Sequence, residues 1–496
     1  MTFSGIAILG VWTIWLTPVW LLGAGTTLAL LVLLVIFGLV WLVSRQTAMD
    51  LWATLKEGVL LPISYLALFL AGFTVIASLN MPTRRFMESV QRVMGVGEIH
   101  QPASDIPPRT EDHAVAAKFR ADELKVLVIN SNQDVIVSQR KLVASERGVL
   151  VVEGGETYTW KVDSGRNQPF HGRIDTLYVT NESDGAATVQ FDITTDVEYP
   201  QVYSIPVTTV AVVGLYLIYF LVSFAAPKLS AIAAVTAKEA TSQPIFYLAL
   251  AMGAFALVVF IYIPYNTFGE DVKMLKGSGL TLIMVLSIVV ALWTASVSVA
   301  DEIEGRTALT LLSKPISRRQ FILGKFLGII WPILLMFVLL GFLFLVTVSY
   351  KVVYDASETA AGDPDWQQCF DEMVRTVPGL VLAFMETVVM TSISVAISTR
   401  LPMLANLIIC SSVYVLGHLG PMIVNSAVGK FQIVEFVGRL IATLLPVLDH
   451  FNIQAAIAAG ARVPSVYLAW ALVYCVLYSS IAMLLALAMF EDRDLA

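Results

Sequence analysis

Several things are scarce in this sequence. Three cysteines occur in 496 residues. Cys410 and Cys475 fall inside apolar runs and leave Cys369 alone outside, so no disulfide framework is expected. Charge is thin, with 14% charged against 57% apolar residues, and a mean hydropathy of +0.77 places the chain in the membrane class. Residues 1–44 carry no charge at all, so no basic n-region and no cleavable signal peptide is expected. No G-x-x-x-x-G-K-[ST] run exists for binding ATP in the Walker manner, and neither H-E-x-x-H nor G-x-S-x-G is found. No catalytic, cofactor-binding or metal site is therefore expected; His171 has no Cys or His at ligand spacing. The net charge of −7 gives no support for a nucleic-acid partner.

What the sequence does have is apolar runs long enough to cross a bilayer, and between two of them lies its most organised polar stretch, residues 301–326, DEIEGRTALTLLSKPISRRQFILGKF. Arg306, Lys314, Arg318, Arg319 and Lys325 stand there against Asp301, Glu302 and Glu304, the densest basic cluster beside any apolar run. The positive-inside bias places the stretch in the cytoplasm. Its grammar is that of two short helices meeting at a corner. Glu302 and Arg306 have the favourable i,i+4 order with the acid first; Leu309, Leu311 and Leu312 give an apolar face, and Pro315 stops the helix. Ser317 caps the next one, with Gln320 closing a capping box ahead of Phe321 and Leu323. Such order in a loop suggests a docking surface; the simpler alternative is a solvated loop whose basic residues only fix topology.

The run E-x-E-x-R-T-x-x-x-L-L-S-K-P-I-S-R-R-x-F-x-L-G-K-F, from Glu302 to Phe326, resembles the first cytoplasmic loop of ABC-2 type permeases, the membrane subunits of one class of ABC transporter. In that family the loop contacts a separate ATPase. The resemblance implies such a coupling interface for Glu302, Glu304, Arg306, Lys314, Pro315, Arg318, Arg319 and Lys325. It also implies that ATP and Mg are bound by the partner ATPase rather than by this chain, and that the pathway is built with a second copy or a related permease. It covers residues 227–496.

Taken in order, the chain is expected to open with a membrane segment of two spans, 1–80. One reading places the first crossing at 19–43, with residues 3–17 in the outer interface; the other is a hairpin turning at 23–25. Met49, Trp52 and Leu55 would hold a short inner loop against the membrane before a second crossing at 59–79. Residues 81–204 read as an extracytoplasmic β-rich domain. It opens with a short helix bearing Phe86, Val90 and Val93 and a Pro-rich linker at 101–112. Alternation at Tyr158, Trp160 and Val162 and at Val189, Phe191 and Ile193, with a turn at 181–185, marks strands of a β-sandwich-like fold. A return span at 205–226 follows. Residues 228–242, with Leu229, Ile232 and Val235 on one face and Lys228 and Lys238 holding them inside, resemble the elbow helix that opens the ABC-2 core; an interfacial linker is the alternative. Six crossings complete the core, 227–496, at about 245–264, 279–300, 327–350, 377–399, 403–424 and 465–490.

Residues 431–448 are as long as a span but hold Glu435, Arg439 and Pro446, and each central charge costs about 2.5–3.5 kcal/mol on an insertion scale. An outer re-entrant segment, 429–460, is expected instead. Asp449 and His450 would line an outer gate there, or Asp449 would cap a helix. Glu386, near the middle of its run, marks a pathway or an interface between two copies, or bonds to Thr387, Thr391 or a neighbouring helix. His418 reads as an interfacial histidine.

The expected fold is mostly α and polytopic, with about nine transmembrane helices, three N-terminal and six in the core, and an inserted extracytoplasmic β domain. The expected function is the permease subunit of an ATP-driven ABC-2 exporter in the cytoplasmic membrane. Its expected partners are a separate ATPase, a second permease copy, membrane lipid and an outer partner at the β domain. The competing function is a membrane-anchored receptor whose β domain binds a ligand without transport.

Overall fold

The structure, a computed structural model, describes residues 3–81, 83–93, 95–141, 149–164, 167–263, 271–302, 316–359, 362–425, 436 and 445–491. The chain divides into two compact units, Met1–Met81 with Ile205–Ala496, and Pro82–Ser204.

The first unit is helical. α1 (Phe3–Val43) is one 41-residue helix, about 60 Å long at the α-helical rise, so the hairpin at 23–25 is not formed. Its glycines are contact points instead. A Cβ at Gly25 would lie 2.7 Å from Thr208 Cβ and 2.8 Å from the Ile205 carbonyl, and Thr209 Oγ1 donates to the Gly25 carbonyl at 2.9 Å. α2 (Arg45–Glu57), capped by the Ser44 side chain, and α3 (Leu61–Ala77) form a sharply bent pair with Met49 and Trp52 exposed.

After the second unit come α5 (Ser204–Ala225), α6 (Pro227–Ser242), α7 (Pro244–Tyr262), α8 (Asp271–Ala295), α9 (Arg318–Glu358), α10 (Trp366–Ser398), α11 (Met403–Asn425), the short α12 (Gln454–Ala458) and α13 (Ser465–Glu491). Among the described residues, seven helices are long and apolar enough to span a membrane, or eight if α2 and α3 count as one bent span. α11 holds a shorter apolar stretch, Met403–Leu419. Helices lie at all nine expected positions, but length and composition support seven to eight crossings rather than nine.

Two helices overrun their expected limits. α9 has 41 residues and α10 has 33, about 60 and 50 Å against a hydrocarbon core of about 30 Å. The charges that would have ended these spans are neutralised within the protein. Lys351, buried, lies 2.9 Å from Asp355 one turn on and donates to the Ile261 carbonyl at 2.9 Å. Lys276 of α8, also buried, pairs with Glu372 of α10. Most of α8 and α10 is buried, and with α9 they form the centre of an apolar core that includes Ile283, Ile329, Met336, Phe344, Leu382 and Val389.

The second unit begins with α4 (Thr83–Arg92), whose Phe86 is buried and whose Arg92 pairs with Glu123. Eight strands follow: β1 (Glu98–Ile106), β2 (Thr110–Arg120), β3 (Leu124–Ser131), β4 (Val135–Ser138), β5 (Val149–Val152), β6 (Thr157–Lys161), β7 (Arg173–Asn181) and β8 (Ala187–Thr195). They make two four-stranded antiparallel sheets, in the orders β1-β8-β3-β6 and β2-β7-β4-β5. Inward residues of both, among them Leu127, Val137, Trp160, Leu177 and Phe191, form one hydrophobic cluster. The Pro-rich stretch at 101–112 is therefore not a linker. β1 is an edge strand whose register shifts between Gln101 and Ser104, so Pro102 sits at a bulge where its missing N–H is tolerated. Pro107 and Pro108 make the turn into β2, helped by Arg109 at φ 53°. Asn181 is buried and its Nδ2 donates to the carbonyls of Pro107 (3.1 Å) and Gly185 (2.9 Å), fastening the β7–β8 turn.

Candidate functional site

The corner between α8 and α9 is built from its flanks. α8 ends in a π-helical turn, Ser296–Asp301, a wide turn that recurs at functional sites. Its Ser296 Oγ accepts from Asn406 Nδ2 at 2.8 Å; the same nitrogen lies 2.8 Å from Ser394 Oγ and 3.0 Å from Ser398 Oγ, and Cys410 Sγ donates to Asn406 Oδ1 at 3.2 Å. Fully buried Asn406 thus fastens the turn to α10 and α11.

Beyond the turn, Glu302 Oε1 accepts from Lys325 Nζ at 2.6 Å, with Lys325 2% exposed. Glu304, Arg306, Lys314 and Pro315 lie outside the described residues. On the far flank the expected capping box is formed. Ser317 Oγ accepts from Gln320 N at 3.2 Å, and Gln320 Oε1 accepts from Ser317 N at 3.1 Å. Arg318 Nη1 donates to the carbonyls of Glu491 (2.8 Å) and Phe490 (3.3 Å), where the unsatisfied C-terminal carbonyls of α13 favour a cation. Its guanidinium lies 5.7 Å from the centre of the Phe490 ring, on which Phe321 stacks at 5.7 Å. Arg319 is exposed. Of the expected coupling residues that are described, Glu302, Arg318 and Lys325 therefore hold α8, α9 and α13 together, and Arg319 faces outward.

α6 packs along the start of α9. A Cβ at Gly324 would lie 2.8 Å from Ile232 Cβ, and one at Gly328 would lie 2.6 Å from Thr236 Cβ and 2.8 Å from the Ala233 carbonyl. This small-xxx-small spacing lets two backbones approach. The packed face is Ala233, Thr236, Ala237 and Ala240, while Val235 is 66% exposed, so the face expected from Leu229, Ile232 and Val235 is turned by about one residue. Lys228 and Lys238 are both exposed.

Of residues 429–460, expected to be re-entrant, 436 and 445–460 are described. They contain a 3-10 turn, Leu448–Phe451, and α12. Asp449 and His450 are exposed on that turn; the His450 carbonyl accepts from Tyr467 Oη at 2.6 Å, and its ring stands 5.8 Å from Tyr474. The side chain reaching the backbone of α12 is Asn452, whose Oδ1 accepts from Gln454 N at 3.4 Å, rather than that of Asp449. A groove of about 660 Å³ lined by Phe260, Met274, Leu282, Val285 and Gln454 lies beside α12.

Glu386 is 1% exposed. Thr387 and Thr391 donate to the Ala383 and Thr387 carbonyls instead of to it. Its partner is His418 of α11, with Nε2 3.4 Å from Oε1, a residue read from sequence as merely interfacial. Asn406 also went unread, although an Asn inside an apolar run is a signal. Among the described residues, the carboxylates of Asp271, Asp355 and Glu358 come within 4.8 Å of one another. Lys351 Nζ stands 2.9 Å from Asp355 and 3.8 Å from Asp271, so an ammonium already sits between two of the three.

Residues 272–495 match the family model described as ABC-2 family transporter protein. This region is an ABC-2 family membrane domain. No curated protein matches the chain. An ABC-2 membrane domain has no ATPase site of its own, and ABC-2 permeases generally partner with an ABC ATPase subunit. The chain is accordingly a multi-pass membrane protein with an ABC-2 permease domain preceded by a region holding two small antiparallel sheets.

Proposed function

We propose that the chain is the permease subunit of an ATP-driven exporter, worked from the cytoplasmic side by a separate ATPase that binds ATP and Mg and grips the corner at 301–326. The observation that supports this best is how the corner's flanks are tied. Glu302 holds Lys325 at 2.6 Å, Arg318 holds the end of α13 at 2.8 Å, and Gly324 and Gly328 seat α6 against α9. A push on the intervening loop would reach α8, α9, α13 and α6 together, which is what rocking of the helices between two states requires.

In this reading Arg319 meets the ATPase directly, joined by Glu304, Arg306, Lys314 and Pro315 on the strength of the family resemblance. Glu302, Arg318 and Lys325 make the contact stiff. The exposed Lys228 and Lys238 hold the elbow at the inner surface. Glu386, Asp449 and His450 line the route to an outer gate. Two copies, or this chain and a related permease, complete the pathway within the lipid. The unit Pro82–Ser204 stands outside, where it receives cargo or an outer partner.

Affinity isolation in mild detergent tests the proposal. An ABC ATPase should accompany the wild-type chain and be lost from Lys314→Glu and Arg319→Glu variants that still unfold at the wild-type temperature. Isolation without an ATPase, or one that survives both charge reversals, refutes it; an outer ligand captured with no ATPase would instead indicate a receptor.

A further inference from the structure

A carboxylate at the depth of Glu386 is expensive unless something answers its charge. The answer available here is unusually specific. Among the described residues Glu386 Oε1 accepts no hydrogen bond, and what faces it is His418 Nε2 at 3.4 Å. The other ring nitrogen, Nδ1, lies 3.2 Å from the Tyr414 carbonyl. A carbonyl only accepts, so Nδ1 carries a hydrogen. A neutral imidazole has a single N–H, and in His418 that hydrogen is committed to Tyr414, with the Tyr414 ring 4.7 Å away holding the imidazole in place. Nε2 would then turn a lone pair toward Oε1. With Glu386 ionised, two lone pairs would oppose each other in a low-dielectric interior. A second hydrogen, on Nε2 or on Oε1, converts that repulsion into an attractive contact.

Among the described residues, no cation other than His418 stands within ion-pair distance of Glu386. α10 packs against α1, α8, α9, α11, α12, α13, the π-helical turn and the 3-10 turn. α1 and α12 have no ionisable residue, α8 has none after Lys276, and α9 has none between Phe326 and Ser349. Lys276 is taken by Glu372, and Lys325 by Glu302. The other ionisable groups of α8 and α9 lie at their ends, Asp271 and Lys273 on α8 and Arg318, Arg319, Tyr350, Lys351, Tyr354, Asp355 and Glu358 on α9; Arg318 is held by the end of α13 and Lys351 by Asp355. The remaining titratable groups on these elements are Asp301 at the inner end, Cys410 and Tyr414 on α11, Tyr467, Tyr474, Cys475, Tyr478 and Glu491 on α13, and Asp449 and His450 on the 3-10 turn, none of them a lysine or arginine. Asp449 is exposed on the 3-10 turn, which packs against α10.

We propose that Glu386 and His418 form a proton-binding site inside the membrane domain, holding one proton between Oε1 and Nε2 and exchanging it toward the turn that carries Asp449. On release the O–H or N–H bond breaks and the proton passes to the Asp449 carboxylate or to water at the exposed turn. Repulsion between the bared lone pairs then favours separation of α10 from α11. The site stands on this geometry alone and does not depend on which ATPase, if any, drives the protein.

The test uses the full chain in lipid nanodiscs with 15N-labelled histidine, the His418 signals being identified by their loss in His418→Gln. The expected result is a hydrogen on Nδ1 of His418. Infrared difference spectra between acid and alkaline samples should show a carboxyl change that is lost in Glu386→Gln and shifted in His418→Gln. A bare Nδ1 in the wild-type protein overturns the proposal, and this needs no variant to fold. A carboxyl change that persists in Glu386→Gln, or is unmoved in His418→Gln, overturns it as well.

Discussion

The Lys325 ammonium is all but sealed from solvent, 3% of its side chain being exposed, and Glu302 stands 2.6 Å away. Removing one member of such a pair strands the other charge, which typically costs about 3 kcal/mol or more. Lys325→Met should therefore lower the unfolding temperature of the detergent-solubilised protein, and the charge-exchanged double variant Glu302→Lys, Lys325→Glu should recover part of the loss. Equal losses for single and double variants would show that the pair is not the cause. In the β unit the comparable contact is exposed. His100 Nδ1 lies 2.9 Å from Asp192 Oδ1. The hydrogen bond to Asp192, then its charge, raises the His100 imidazolium above its ordinary value. A raised folded value means the contact stabilises the fold fully below the unfolded value of about 6.5 and is lost as pH rises through the folded one. Asp192→Asn should return the His100 titration, followed by histidine NMR, toward the ordinary value; an unmoved titration would exclude Asp192 as the cause. Residues acting locally were legible in the sequence, as the Ser317–Gln320 capping box shows. Glu302 reads from sequence as a partner of Arg306, which lies outside the described residues, while its described partner Lys325 comes from α9; for Glu386 a neighbouring helix is one of the expected partners, and α11 supplies it in His418, which the sequence does not single out for that role.

At the scale of elements, the seat of α6 on α9 is set by two missing side chains. At Gly328 a Cβ would meet the Ala233 carbonyl at 2.8 Å, and backbone cannot move aside as a side-chain tip can. Gly328→Ala should then cost about 1–3 kcal/mol through overpacking. Gly214→Ala in α5, where a Cβ would meet nothing within 4 Å, should be neutral or gain up to about 1 kcal/mol of helix propensity. Unfolding temperatures of the two variants in one detergent decide the matter, and equal shifts would refute a tight seat. The same contact explains why α6 was legible as a helix and not in its facing. Apolar periodicity pointed to Leu229, Ile232 and Val235, but a glycine stripe on the partner admits small residues, so Ala233, Thr236 and Ala237 turn inward. In the β unit, alternation found β6 and β8, whereas prolines hid β1, because an edge strand with a bulge accommodates Pro102 where a central strand would not.

At the scale of the whole chain, the order of spans decides on which side each soluble part stands. Between residue 204 and the corner at 301 run α5, α7 and α8, each long and apolar enough to cross once, with α6 between the first two. Three crossings are an odd number, so the unit Pro82–Ser204 and the corner should face opposite sides of the membrane. The basic residues of the corner favour the cytoplasm for it, and the β unit should then face outward. Legibility here came from hydropathy, which located the helices at the nine expected span positions; the number of true crossings was harder to read because α2 and α3 bend and the apolar part of α11 is short. A membrane-impermeant thiol reagent on intact cells reads the arrangement directly, since Cys369, Cys410 and Cys475 are all buried and give little background. Glu182→Cys, at an exposed turn of the β unit, should react in intact cells, while Arg319→Cys, exposed at the corner, should react only after the membrane is opened. Labelling of both positions in intact cells would break the parity, and labelling of Arg319→Cys alone would reverse the orientation and with it the side from which an ATPase could act.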